Sequence, residues 1–106
     1  MIVKEKQVEA ALAFKDGDHV AEIYYRAEMA RIAYEEARAE AFIGFNDGSV
    51  EDRKMRALLV PNVKALARDL ALAEAEQRRL KTKLEKADAI IELYRTESAN
   101  ARNGVL

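Results

Sequence analysis

The stretch LVPNVKALARDLALAEAEQRRLKTKLEKADAIIELYRTESANA, residues 59–101, decides how this chain folds. Apolar side chains return in it at alternating three- and four-residue steps. Written as heptads, the a positions are Val63, Leu70, Gln77, Leu84, Ile91 and Ser98. The d positions are Leu59, Leu66, Ala73, Leu80, Ala87, Tyr94 and Ala101. A strict seven-residue repeat implies a helix with a left-handed coiled-coil seam. At ~1.5 Å per residue this helix spans roughly 60 Å. Pro61 is the one complication. Either a short helix ends at Val60 and a new one begins with Pro61 in its first turn, or one helix starting near Val50 is kinked there. Asn103-Gly104 is a stop signal, so the helix ends near Asn100.

The two ends of the seam differ in their surroundings. Before Gln77 the helix is apolar nearly all round, with Leu58, Val60, Ala65, Ala67, Ala71, Leu72 and Ala75 off the seam. After Gln77 little else is apolar, chiefly Ala89 and Ile90. Residues 58–75 are therefore expected inside a multi-helix core, and residues 80–101 in a narrower contact.

Upstream, a first long helix is expected from about His19 to Ile43. Val20, Ile23, Ala27, Ala30, Tyr34, Ala37 and Ala41 form its stripe, and Tyr24, Tyr25, Met29 and Ile32 add apolar surface on a flank. A short helix is expected over residues 5–14, followed by the Lys15-Asp16-Gly17-Asp18 turn with Asp18 as N-cap. Gly44-Phe45-Asn46-Asp47-Gly48-Ser49 breaks the middle of the chain, and Ser49 with Asp52 resembles a capping box. Neither flank of this break alternates with period two, so it joins two antiparallel helices rather than two strands. The expected fold is all-α. It is a helical hairpin in one domain, residues 1–106, whose long heptad-bearing second helix forms an oligomeric coiled coil or bundle.

A seam so long outruns a first helix of this length, which points to self-association. The expected interface is Leu66, Leu70, Ala73, Gln77, Leu80, Leu84, Ala87, Ile91 and Tyr94. An antiparallel copy centred between Arg78 and Arg79 places Leu84 against Ala73 and Leu70 against Ala87 of its mate. It also pairs Glu76 with Lys83 and Glu74 with Lys81. In a parallel pair Asp69 meets Glu74 and alanines stack on alanines, so the antiparallel arrangement is preferred. Exposed pairs of this kind contribute only about 0.3–0.5 kcal/mol each, so the size match weighs more. The same periodicity also fits an intramolecular bundle.

Composition bounds the function. The sequence has 106 residues, no Cys, one His, four Gly and one Pro. Disulfides, thiolate metal sites and Cys nucleophiles are thereby excluded. Met1-Ile2-Val3-Lys4-Glu5-Lys6 lacks the pattern of a secretory signal, and no apolar run approaches the ~20 residues of a membrane span. The expectation is a soluble cytoplasmic protein with no membrane partner. Residues 1–50 hold 6 Lys/Arg and 10 Asp/Glu, and residues 51–106 hold 12 and 9. An acidic half and a basic half suit head-to-tail or antiparallel association of copies.

No residue pattern points to catalysis. His19 would need a nucleophile and a pocket, and neither is visible in the sequence. Glu35, Glu36 and Glu40 lack the Glu-x-x-His partner of helical di-metal sites. The phosphate-loop and dinucleotide-loop glycine patterns are absent. No cofactor or metal is implied, and the chain reads as no enzyme. The strongest chemical signal is basic. Arg53, Lys54, Arg56, Lys64 and Arg68 form one group, and Arg78, Arg79 and Lys86 anchor another over residues 78–86. Such residues can contact nucleic-acid phosphates with a steep salt dependence. No aromatic residues interleave the second group for base stacking, and Lys81 and Lys83 have a use in the coiled coil.

Four runs in the second half carry a family resemblance. They are Gly48-Ser49-Val50-Glu51-Asp52-Arg53-Lys54, Leu70-Ala71-Leu72-Ala73-Glu74-Ala75-Glu76, Leu80-Lys81-Thr82-Lys83-Leu84-Glu85, and Ile91-Glu92-Leu93-Tyr94-Arg95-Thr96-Glu97-Ser98. Together they resemble small helical-hairpin proteins encoded by tailed phages and prophages. The resemblance implies a phage accessory protein in a setting of recombination or replication, with no catalytic residues to carry over. The expected function is a non-enzymatic, homo-oligomerising adaptor or scaffold, with a DNA-binding accessory factor as the alternative. The partner is a second copy, or another protein.

Overall fold

The computed structural model describes residues 3–104, so Met1 and Ile2 of the N-terminal stretch lie outside the described residues. The fold is all-α, and no strand occurs among the described residues. Four helices follow one another: α1 (Glu5–Lys15), α2 (Asp18–Gly44), α3 (Val50–Leu59) and α4 (Pro61–Arg102). Their ends follow from local chemistry. The Gln7 side chain accepts a hydrogen bond from the Lys4 backbone N–H at 2.8 Å and holds the start of α1. Asp18 lies within the first turn of α2, where its carboxylate faces the positive end of the helix dipole, and is not the residue before the helix. The Ser49 hydroxyl accepts from the Asp52 N–H at 3.1 Å and caps α3. Val60 is extended (φ −61°, ψ 129°), and α4 restarts with Pro61 in its first position. Of the two arrangements Pro61 allows, the chain takes the break. The steric reason is that a residue preceding proline disfavours helical backbone.

The break shortens the seam. Leu59 belongs to α3 and is 61% exposed, so the continuous heptad stripe begins at Val63, which is 1% exposed. The described chain divides into two compact units at Glu22/Ile23 within α2 and at Gln77/Arg78 within α4. The second boundary falls where the sequence changes from all-round apolar to narrow seam.

The unit made of residues 1–22 and 78–106 is built on α1 laid antiparallel against the C-terminal part of α4. The Val3 backbone N–H donates to the Glu97 carboxylate at 2.8 Å at one end. Lys15 forms an ion pair with Asp88 at the other. Between them Val3, Val8, Ala11, Ala87 and Ile91 are buried, and Phe14, Ile90 and Tyr94 pack against this cluster. Val8, Ala11 and Lys15 lie at three- and four-residue steps, which puts them on one side of α1. The small Ala11 and Ala87 side chains let two helices approach closely. Burial drives this contact. The exposed Lys15–Asp88 pair adds a few tenths of a kcal/mol at most.

The unit made of residues 23–77 is a helical hairpin of α2 against α3 and the first part of α4. Arg26 lies by Glu76, and Arg31, further along α2, feels the earlier Glu74, so α2 and α4 run in opposite directions. Arg26 and Glu76 form an ion pair at 3.6 Å across them. Only Ala27, Ala57 and Val63 are buried in this unit. Ten of the twelve large apolar residues that stand exposed belong to it: Tyr24, Tyr25, Met29, Ile32, Ile43, Val50, Met55, Leu58, Leu59 and Leu72. This corrects the expectation that residues 58–75 lie inside a core. The three helices bury one side each, and Leu58, Leu59 and Leu72 point elsewhere.

The α1 contact carries a direct test. Ile91→Ala removes a buried branched side chain from the five-residue cluster. The expected cost is about 2–4 kcal/mol in urea unfolding, accompanied by faster amide exchange throughout α1. Unchanged exchange in α1 would show that Ile91 does not hold it.

Candidate interaction surfaces

The nine seam positions expected to meet a second copy are covered to different degrees within one chain. Leu80, Ala87 and Ile91 are buried, and Leu66, Leu70, Ala73, Gln77, Leu84 and Tyr94 are half-buried. The apolar side of α1 packs on Ala87, Ile91 and Tyr94, the last part of the seam that the sequence reading left for a partner. Ahead of Gln77, α2 lies along the same stripe. Large exposed apolar side chains lie on other faces.

The basic residues separate into engaged and free. The Arg56 guanidinium stacks over the Phe45 ring, 4.7 Å from its centroid. It also donates to the Asp47 carboxylate at 3.2 Å and to the Asp47 backbone carbonyl. Arg53 lies over the Phe42 ring at 5.0 Å, and its Nε is buried without a hydrogen-bond partner among the described residues. Lys54 pairs with Glu51 at 3.8 Å. Thus Arg53 and Arg56 both pack on aromatic rings at the break between α2 and α3, and Arg56 also holds Asp47. Lys64, Arg68, Arg78, Arg79 and Lys86 stand exposed. On α4, Arg79, Lys83 and Lys86 follow one another at i, i+4 and i+7 and share one side of the helix.

His19 sits against Phe14, with ring centroids 4.8 Å apart and planes tilted by 52°. Its Nε2 is buried and without a hydrogen-bond partner. Glu35 pairs with Arg31 at 3.7 Å, and Glu36 and Glu40 are exposed. Arg31 also donates to Glu28, and this bond holds the Glu28 carboxyl below the usual carboxylate range. Both groups face solvent, so the pair is a surface i, i+3 contact. No cluster of three or more His, Asp or Glu with metal-binding spacing occurs among the described residues. None of their helices is long and apolar enough to cross a membrane.

Two concave surfaces adjoin these groups. One lies between α2 and α3, with Arg38, Ala39, Phe42, Ala57 and Leu58 along it. The other lies between α1 and α4, about 350 Å³ in volume. Ala10, Phe14, Ala87 and Ile90 form its floor, and Lys83 and Lys86 its rim. Glu35, Arg38 and Lys54 are the charged groups along the first, and Lys83 and Lys86 those along the second.

The most extended uncovered surface is apolar. On α2 the residues Tyr25, Met29, Ile32 and Ile43 lie on the side opposite the buried Ala27 stripe, as ~100° per residue requires. They are 63%, 45%, 37% and 75% exposed. On α3, Met55 and Leu59 likewise lie opposite the buried Ala57, and on α4 Leu72 lies opposite Val63. The sequence reading singled out Tyr25, Met29 and Ile32 as a flank but missed Met55 and Ile43 as surface. The available signal was a helix pattern apolar on both sides, which a single hairpin cannot bury.

In comparisons with known proteins, the chain matches no family profile, no curated protein and no solved structure.

The clamp at the break gives a stability prediction. Gly48 has φ +89°, and a Cβ placed there would lie 2.8 Å from Nη2 of Arg56. Gly48→Ala is expected to cost about 1–2 kcal/mol through the left-handed backbone and loosening of this clamp. Chemical unfolding of Gly48→Ala and Arg56→Ala measures both parts. An unchanged Gly48→Ala midpoint contradicts the account.

Proposed function

We propose that this chain is a non-enzymatic, self-associating helical scaffold or adaptor. The observation that carries the reading is the apolar surface of the unit spanning residues 23–77. Its three helices each present large apolar side chains away from their buried stripes. A helix that is apolar on two opposite sides is a buried helix, and within one chain only one side is buried. Fully buried positions in this unit are two alanines and a valine, too small a core for a hairpin to depend on alone. A second copy supplies the missing cover at no cost in new sequence.

The outer side of α2, with Tyr25, Met29, Ile32 and Ile43, is the main contacting surface, and Met55, Leu59 and Leu72 add exposed apolar side chains on α3 and α4. The phage or prophage setting rests on the resemblance of the four sequence runs in the second half. A nucleic-acid role for Arg78, Arg79 and Lys86 is the weaker reading, because Arg53 and Arg56 are occupied at the break.

Sedimentation of the purified chain across a hundredfold concentration range tests the scaffold reading. The expected result is an oligomer whose thermal midpoint rises with concentration by mass action. Met29→Glu combined with Ile32→Glu should weaken the association by tenfold or more, because each buries a carboxylate in the contact. Both substituted positions are exposed in the single chain, so far-UV circular dichroism separates lost association from lost folding. A wild-type chain that stays monomeric throughout ends the proposal.

A further inference from the structure

The geometry points to head-to-tail association: the outer side of α2 in one copy docks into the α1–α4 groove of the next. This rests on the self-association reading and specifies which face meets which. The two surfaces differ in charge as well as place. The groove is floored by Ala10, Phe14, Ala87 and Ile90, and its rim carries Lys83 and Lys86 with no carboxylate along it. Arg79 continues the same side of α4 by one turn. Lys83, Lys86 and Arg79 are exposed, and no described carboxylate lies within ion-pairing distance of them. Two cations beside an apolar floor that Ala10, Phe14 and Ile90 leave partly exposed fit an acidic, amphipathic helix.

The chain contains such a helix face. Tyr25, Met29, Ile32 and Ile43 on α2 share their side with Glu36 and Glu40. All six are exposed. At 1.5 Å per residue the Tyr25–Ile43 face is about 27 Å long, against about 16 Å for α1 along the groove. The Met29–Glu40 part therefore matches the groove in length. Glu36 and Glu40 are four residues apart and Lys83 and Lys86 three, so both carboxylates can reach the two ammonium groups in one docked position. A helix seated there becomes the third member of a bundle with α1 and α4. Each copy carries one face and one groove. The contact is therefore heterologous, and copies add in a ring or an open chain rather than closing as a two-fold pair.

Charge reversal on each surface tests this. One variant carries Glu36→Lys and Glu40→Lys, and the other Lys83→Glu and Lys86→Glu. Sedimentation equilibrium at low and high salt, with circular dichroism as the folding control, reads the result. Each variant alone is expected to associate at least tenfold more weakly than wild type, and an equimolar mixture should regain association. In the mixture every docked pair again joins opposite charges. The wild-type assembly should weaken as salt rises. If both variants associate as wild type does, the head-to-tail docking is wrong while self-association stands. If the groove variant alone is unaffected, α2 meets something other than the groove, and the proposal also falls. A monomeric wild-type chain removes both readings together.

Discussion

The apolar side of α4 is the constraint on which the rest of this structure depends. It is longer than any other helix of the chain can cover, so two different helices share it. Beyond Gln77 it is matched by α1, where Val8 and Ala11 meet a surface made by Ala87 and Ile91. Before Gln77 it is matched by α2, whose alanine-rich stripe permits close approach. Each half thus has its own partner and its own small core, and the division of the chain into two units follows.

The same arrangement explains where the chain remains unsatisfied. In the unit of residues 1–22 and 78–106 the α4 stripe is narrow, and a short helix suffices to cover it. In the unit of residues 23–77 apolar residues run around each helix, and two-helix packing can bury only one side. The sharp break at Gly44–Ser49, held by Arg56 on Phe45 and Asp47, sets the hairpin but adds little burial. What is left is an outward face of Tyr25, Met29, Ile32, Met55, Leu59 and Leu72. The proposed self-association rests on these exposed side chains.

Charge gives the proposed contact a direction. The acidic residues gather on α2, and the basic residues without partners gather on the middle of α4. Electrostatics of this kind fixes orientation and rejects wrong partners more than it adds affinity, while apolar burial supplies the affinity. Arg53 and Arg56 are the basic residues that the fold engages at the break. Both are strongly basic in the sequence, yet each lies over an aromatic ring at the break.

The sequence by itself determined the helices. Periodicity, turn residues and caps placed α1, α2, the break at Gly44–Ser49, and the choice at Pro61 between two local outcomes, because each depends on neighbours within a few positions. It also located the change in character at Gln77, which is written in the composition on either side. Tertiary structure alone decided what covers the seam. A heptad stripe states that a helix needs an apolar partner, but a short helix in the same chain and a long helix in another copy satisfy it equally well. Eleven residues of α1, set at the far end of the sequence, were enough to take half of it. Nothing local to α4 records that pairing, since Val3 and Glu97 meet across almost the whole chain.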